Sequence, residues 1–350
     1  MLLLNYKPVL DQPTGIGVYA NAVLPALQNF EHVVIPGRGS GGGNDRLQRF
    51  AWSQFQLPKL AKKCKADFIF TPAPEGYLGE QVVSQIVMVH DLRPLSHPDL
   101  SMQSLYFRKW VPPLLRQCRH IITNSNFTAS EIRGATGVPA DKISVTPLGY
   151  DTHHFYPSEV KERLHSRAYL LHVGQAYPHK NLERLLYAFK MISHRFPEVD
   201  LVLLGKPYPS ETHKLRLMAS ELGLSKRVIF KSYVPYEELP NWYRGAIAFV
   251  YPSLWEGFGL PILEAMACRC PVITSFGSGM QEVSGNAALM VDPFSIEEIK
   301  EAIGNVIDNP YLNQSLCSEG ELNALKYSWK QCAKNTKQVI EGEILKSHLN

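Results

Sequence analysis

"IAFVYPSLWEGFGLPILEAMACR", residues 247–269, decides how this chain is read. It opens on a short run of β-branched and aromatic residues, the pattern of a buried strand. It closes on "PILEAMACR", a helix with Pro261 at its first position, where the missing N–H costs nothing. Between them stand Glu256, Gly257, Phe258 and Gly259. A strand that turns through glycines into a helix is the unit of an open α/β sheet, and the turn is where such sheets bind ligands. The amides of Phe258, Gly259 and Leu260 lie near the positive end of that helix and can donate to an anion or to sugar hydroxyls. Glu264, placed in the first helical turn, tilts back toward the same end. With Glu256 on the loop, the two acids are expected to aim at one place, where carboxylates can accept from vicinal hydroxyls.

The same alternation runs outward in both directions. Strand-like runs in the first half are "VVIP", "DFIFT", "QIVMVHD", "HIITNS" and "ISVTPLG"; in the second they are "AYLLHVG", "DLVLLG", "RVIFKSYV", "PVITS" and "AALMVD". Strands alternating with helices imply parallel sheets, and 350 residues are too many for one ordinary core. Two doubly wound Rossmann-like domains are expected, 1–160 and 161–329, with the break near "YDTHHFYPSEV". "SNFTASEIRGATG" reads as a helix capped at Ser125 and ended by glycine, and "NLERLLYAFKMISHRF" carries apolar residues at 182, 185, 186 and 189 on one face. "GRGSGGGND" lacks the Lys-Ser/Thr ending of a P-loop and reads as a surface loop.

Net charge is +4, too small to point to a nucleic-acid binder. Residues 1–150 nevertheless hold fifteen Lys and Arg against ten Asp and Glu. "KLAKKCK" and "LYFRKWVPPLLRQCR" are either solvated helix faces or a surface for peripheral contact with an anionic bilayer. The six cysteines form no paired CxxC, which suits free thiols in a reducing compartment. No apolar run is long enough to cross a membrane, so a cytoplasmic protein is expected, at most peripheral at the inner face of the plasma membrane.

"PSLWEGFGLPILEAMACRCPVITS" resembles the E-x7-E segment of the retaining glycosyltransferases of family 4, which have the GT-B fold. The likeness extends in order through "TGIGVYA", "VMVHDL", "IITNSNFTASEI", "ISVTPLGYD", "LHVGQAYPHKNLERLLYAF", "LVLLGK" and "AALMVDP". "YSWKQCAKNTKQVIE" resembles the helix, here about 330–350, that returns to the first domain in that family.

The resemblance implies two domains facing across a cleft and transfer of a hexose from a nucleotide-diphosphate sugar to a glycan or lipid-linked acceptor, in lipopolysaccharide or cell-surface polysaccharide assembly. UDP is slightly favoured over GDP, and a GDP-mannose-dependent mannosyltransferase is the alternative. Glu264 would hold the donor's ribose; Glu256, with Gly257 and the Phe258–Gly259–Leu260 backbone, would hold the transferred sugar. Lys180 would neutralise the diphosphate, with Lys206 as a further base, and Gly15, Gly17 and Gly174 would bring backbone close to the phosphates. Tyr233, Val234 and Leu239 would frame the nucleobase, and His90 would face the sugar or acceptor as a catalytic residue beside Glu256 and Lys180. No Asp-x-Asp occurs, so no metal and no other cofactor is expected. The chain departs from the family at Gln175 and His179, where basic residues are usual, and at Arg269, where glycine is common.

Three rivals carry other chemistry. "GIGVYA" fits a dinucleotide fingerprint, but "HVVIP" ends in Pro36 and Gly37 where an NAD site wants an acid. A glycosidase needs carboxylates on opposite sides of a bond, and these two share one turn. A non-catalytic nucleotide-sugar-binding protein would share the two-domain plan without turnover.

Overall fold

The computed structural model of the protein describes residues 1–9, 15–36, 43–96, 101–158, 164–232 and 234–349. Two compact units divide the chain. The first is Met1–Gly149 with Trp329–Asn350; the second is Tyr150–Ser328.

The first unit holds six parallel strands: β1 (Leu2–Asn5), β2 (His32–Ile35), β3 (Phe68–Thr71), β4 (Ser84–Val89), β5 (His120–Thr123) and β6 (Ile143–Val145). Their order is β2-β1-β3-β4-β5-β6. β1, β3 and β5 are buried along their whole length, as strands covered by helices on both faces must be. The helix Asn126–Thr136 starts at Ser125, whose Oγ accepts from the amide of Thr128 at 3.0 Å, and stops at Gly137 in the left-handed region (φ 71°). The helix Trp329–Leu349 packs on the helix Gly15–Leu27. Tyr19 Oη lies 3.2 Å from Thr336 Oγ1, and Arg119 Nε donates to Glu343 at 2.8 Å.

The second unit also holds six parallel strands: β7 (Ala168–Val173), β8 (Val199–Leu204), β9 (Val228–Lys231), β10 (Ala248–Tyr251), β11 (Val272–Ser275) and β12 (Leu289–Val291). The order β9-β8-β7-β10-β11-β12 is the dinucleotide-fold order 3-2-1-4-5-6. Leu170 pairs with Ala248 across the β7–β10 junction, where the direction of strand addition reverses. The helix Leu182–Ile192 buries Leu182, Leu185, Leu186 and Phe189 on this sheet, the face its periodicity predicts.

Two local expectations need correction, and one departure from the family finds its reason. The helix after β10 is Leu260–Ala267, so Pro261 is its second residue and Glu264 lies in its second turn. The cause is Gly259, which stands in the left-handed region (φ 103°) as the N-cap and starts the helix one residue before the proline. Gly15 and Gly17 lie in a helix, Gly15–Leu27, and not in an open loop. Arg269 adopts φ 55° just past the Leu260–Ala267 helix, which is the backbone reason a glycine suits that position.

Candidate functional site

The carboxyl ends of β7 and β10 are adjacent at the switch point of the second sheet. After β7 the chain makes a short 3-10 turn, Pro178–Lys180, and enters the next helix through Asn181 in the left-handed region (φ 61°). Asparagine tolerates that backbone better than other non-glycine residues. The buried Asn181 amide donates to the carbonyls of Pro252 (2.9 Å) and Pro293 (2.7 Å), tying this helix start to the ends of β10 and β12. Leu254 N donates to the His179 carbonyl at 2.7 Å. These bonds set the β7 and β10 loops side by side.

Lys180 and Glu256 meet there. Lys180 Nζ donates to Glu256 Oε1 and to Tyr251 Oη, both at 2.5 Å, and Tyr251 Oη donates to Glu256 Oε1 at 3.0 Å. His179 Nε2 is 3.9 Å from the same carboxylate. Burial pushes the Glu256 carboxyl up, but the charges of Lys180 and His179 and the Lys180 hydrogen bond outweigh it and hold the group below the usual carboxylate value. Glu256 is therefore ionised and neutralised by a cation.

Glu264 behaves differently. It accepts a hydrogen bond from Tyr243 Oη at 3.0 Å. Burial pushes its carboxyl up to about 7, against the opposing effect of that bond. The rings of Tyr243, Phe249 and Tyr251 stand in file between the two acids, at 5.4 and 5.3 Å. The acids share a neighbourhood but not a partner, and their environments drive their protonation apart.

The turn between them is built for close backbone approach. Gly279 N donates to the Glu256 carbonyl at 3.0 Å, and a Cβ on Gly279 would stand 2.1 Å from the Gly257 carbonyl oxygen. Only glycine fits there. Phe258 is buried, edge-on to Tyr327 at 6.0 Å, so its side chain serves the core. Leu260 is half-buried at the helix start.

Gly174 follows β7 and receives the Leu204 carbonyl on its amide at 2.8 Å. Lys206 is exposed just beyond β8. Val234 and Leu239 are half-buried, Leu239 opening the helix Leu239–Gly245. Tyr233 lies outside the described residues.

Gly15, Gly17 and His90 belong to the first unit. His90 follows β4. Its Nε2 lies 3.1 Å from the Pro72 carbonyl, to which it donates, leaving Nδ1 as a lone-pair acceptor. Tyr19 packs edge-on to its ring at 5.1 Å. Burial pushes the His90 pKa down to about 4, so the ring is neutral at physiological pH. Asp91 forms a local turn, accepting from Arg93 N at 3.1 Å.

Sequence reasoning missed four residues of this neighbourhood. Asn181 and Tyr251 position the Lys180–Glu256 pair, and Tyr243 holds Glu264. His172, fully buried in β7, donates from Nδ1 to the Val250 carbonyl at 3.0 Å, while its Nε2 has no hydrogen-bond partner. That Nε2 and Lys180 Cε lie 3.5 and 3.6 Å from where a Cβ on Gly174 would stand. The signal for Tyr251 and His172 was polarity inside strands otherwise apolar; Asn181 showed only as a residue preceding a helix.

Two doubly wound, six-stranded parallel sheets, the second carrying an ionic pair at its switch point, are the two halves of a GT-B glycosyltransferase. Residues 16–154 match Glycosyltransferase Family 4, and residues 158–322 match Glycosyl transferases group 1. The O-antigen chain mannosyltransferase B of Escherichia coli is 31% identical, over 77% of this chain and 73% of its own length. A GDP-mannose-dependent alpha-(1-6)-phosphatidylinositol monomannoside mannosyltransferase of Mycolicibacterium smegmatis is 28% identical, over 62% of this chain and 61% of its own length. The solved sucrose-phosphate synthase of Thermosynechococcus elongatus superposes with a TM-score of 0.76 over 98% of this chain and 99% of its own, at 20% identity, and so shares the fold. The chain belongs to glycosyltransferase family 4 and is a glycosyltransferase.

Proposed function

We propose that the protein is a retaining, metal-independent mannosyltransferase that takes mannose from GDP-mannose and adds it to a cell-surface glycan of the O-antigen type. The observation that carries the reading is the Lys180–Glu256 pair at the carboxyl ends of β7 and β10. A cation and a carboxylate beside a helix mouth match the two needs of a sugar diphosphate: charge compensation for the phosphates and acceptors for the hexose hydroxyls. The names of relatives move the donor from UDP toward GDP-mannose, since the two described above are mannosyltransferases and one is named for GDP-mannose.

In this reading donor phosphates draw Lys180 toward themselves, and Glu256 takes the sugar hydroxyls. The acceptor hydroxyl forms its bond to the anomeric carbon on the face from which the phosphate leaves. Its proton passes to the departing phosphate oxygen. Glu264 holds the ribose. His90, neutral and with Nδ1 an acceptor, accepts from a sugar or acceptor hydroxyl. Positioning and charge compensation supply the rate, so no nucleophile of the protein is required. Metal independence belongs to the same reading: Lys180, at the end of β7, supplies the charge that compensates the diphosphate. Peripheral membrane contact is supported by the basic first unit; among the described residues no helix is long and apolar enough to cross a membrane.

The test is nucleotide release and product formation with GDP-mannose, UDP-glucose and UDP-galactose, with and without excess chelator. An α-mannosyl product from GDP-mannose, formed equally with chelator, is expected. Faster use of a UDP-sugar, inversion at the anomeric carbon, or loss of activity restored by divalent ion would each overturn the corresponding part.

A further inference from the structure

The reaction outlined above makes no use of His172, the next-to-last residue of β7. Strands covered on both faces hold apolar side chains, and Leu170 and Leu171 before it follow that rule. The His172 ring is fully buried and gives only one of its nitrogens to the fold: Nδ1 donates to the Val250 carbonyl at 3.0 Å. With the proton on Nδ1, a neutral imidazole carries a lone pair on Nε2. That nitrogen is shut away from water and has no hydrogen-bond partner among the described residues. A buried acceptor left so is a cost that an apolar side chain would not carry.

The unused nitrogen borders the ionic pair. A Cβ on Gly174 would lie 3.5 Å from His172 Nε2, 3.6 Å from Lys180 Cε and 4.0 Å from Lys180 Nζ, so the three residues enclose one small space. The His172 ring also stacks on Tyr251, with centroids 5.4 Å and planes 20° apart. Tyr251 Oη is the group that joins Lys180 to Glu256.

An ammonium has three protons. Lys180 gives one to Glu256 and one to Tyr251, which leaves the third for another acceptor. In the proposed reaction Glu256 turns to the hexose, and Lys180 loses its charged anchor just when it must meet the diphosphate. A neutral lone pair beside the lysine can replace that anchor without competing for its charge, as a second carboxylate would. We propose that His172 is a positioning residue: when Glu256 is occupied by the sugar, His172 Nε2 accepts from the Lys180 ammonium and holds it over Gly174, at the diphosphate. The link to the donor rests on the function proposed above; the second station for Lys180 does not.

The first test needs no ligand. Glu256→Gln keeps the shape of the side chain and removes the charge that retains Lys180. The nitrogen NMR resonance of His172 Nε2 should lie at the value of a free lone pair in the wild type and move toward the protonated range in Glu256→Gln. An unmoved resonance, or one already shifted in the wild type as a resident water would make it, would overturn the second station.

The second test separates positioning from support of the fold. An asparagine amide reaches about as far as Nδ1 and a glutamine amide about as far as Nε2. His172→Asn can therefore keep the Val250 bond, and His172→Gln can keep an acceptor for Lys180. His172→Asn and His172→Phe should each weaken GDP about tenfold, the lower end for a hydrogen bond to a charged group, and His172→Gln should recover most of that loss. Guanosine, with no phosphate for Lys180 to meet, should bind all three variants as it binds wild type, which shows that the fold is kept. A purely structural histidine would give the reverse order, with His172→Asn tolerated and His172→Gln not. Wild-type GDP affinity in His172→Asn, or equal losses in His172→Asn and His172→Gln, would overturn the proposal. A protein that bound UDP in place of GDP would refute the donor base, and the same contrast read with UDP would still decide His172. One that bound neither would refute the function above, and the nitrogen resonance would decide His172 by itself.

Discussion

The Lys180 ammonium and the Tyr251 hydroxyl converge on one oxygen of Glu256, at 2.5 and 3.0 Å. The Lys180 and Glu256 side chains are only 11% and 15% exposed. Removing one member of such a pair leaves the other charge uncompensated, which typically costs about 3–5 kcal/mol. Lys180→Ala should therefore lower both the urea midpoint and the transfer rate, the latter on the order of 10²–10³-fold. Glu256→Gln keeps the shape and drops the charge. Combined with Lys180→Ala it should recover most of the lost stability but none of the activity, a coupling that a double-mutant cycle reads directly. Wild-type transfer in either single variant would remove the pair from the chemistry.

Glu264 carries a pH signature. Its folded-state pKa, about 7, lies above the ordinary carboxyl value because the group is buried. The folded protein thus binds a proton that the unfolded chain releases. The stability this contributes is full below the ordinary carboxyl pKa and is lost as pH rises through about 7. Glu264→Gln removes the dependence. The variant should be more stable than wild type above pH 7, by at most about 3–4 kcal/mol on the basis of the shift, and should lose that advantage at pH 5. Nucleotide affinity should fall in the same variant by about tenfold, the value of one charged hydrogen bond. Melting curves at pH 5 and 8.5 that differ from wild type by the same amount would contradict the account.

His172, buried, and His90, half-buried, act with the opposite sign. His90 and His172 are both pushed down to about 4 by burial. Each contributes stability that is present above the ordinary histidine value and is lost as pH falls through about 4. The groups around His172 are the Val250 carbonyl, Lys180 and Glu256, so protonation there would set a second cation beside the lysine. Activity should show no limb near pH 6.5 from either ring and should fall with stability below about pH 5. His172→Phe should flatten the acid limb of the urea midpoint. Proton NMR titration of the two imidazoles with inflections near 6.5 would refute this.

Part of this was legible from residue order. Strands buried on both faces read as continuous apolar runs, and "QIVMV", "DLVLL" and "IAFVY" all became strands. The capped helix at Ser125 and the apolar face of 182–192 followed from local patterns alone. What the pattern could not carry was pairing across the sheet. Lys180 and Glu256 are 76 residues apart and meet because β10 lies beside β7. Glu264 moved one residue further into its helix, out of the first turn, because Gly259 starts that helix early. Its protonation depends on burial, opposed by a hydrogen bond from Tyr243 in a separate helix, and neither is visible in residue order. Asn181 resembles any polar residue before a helix until its two bridging carbonyls are seen.

Arg269 shows how a family habit becomes a backbone argument. It holds φ 55°, where a side chain crowds its own backbone and glycine does not. Its side chain offers little in return: one contact to Glu321 at 3.4 Å, with the two side chains 47% and 36% exposed. Exposed pairs of this kind contribute about 0–1 kcal/mol. Glycine would relieve strain worth about 1–2 kcal/mol but would enlarge the freedom of the unfolded chain by a few tenths to about 1 kcal/mol. Arg269→Gly should thus leave the melting temperature unchanged or raise it slightly, with transfer unaltered. Arg269→Val, which adds a β-branch at the same φ, should lower it clearly. A marked loss of stability in the glycine variant would mean that the Glu321 contact, or the Cys317 thiol bonded to the Arg269 carbonyl at 3.0 Å, matters more than the backbone does.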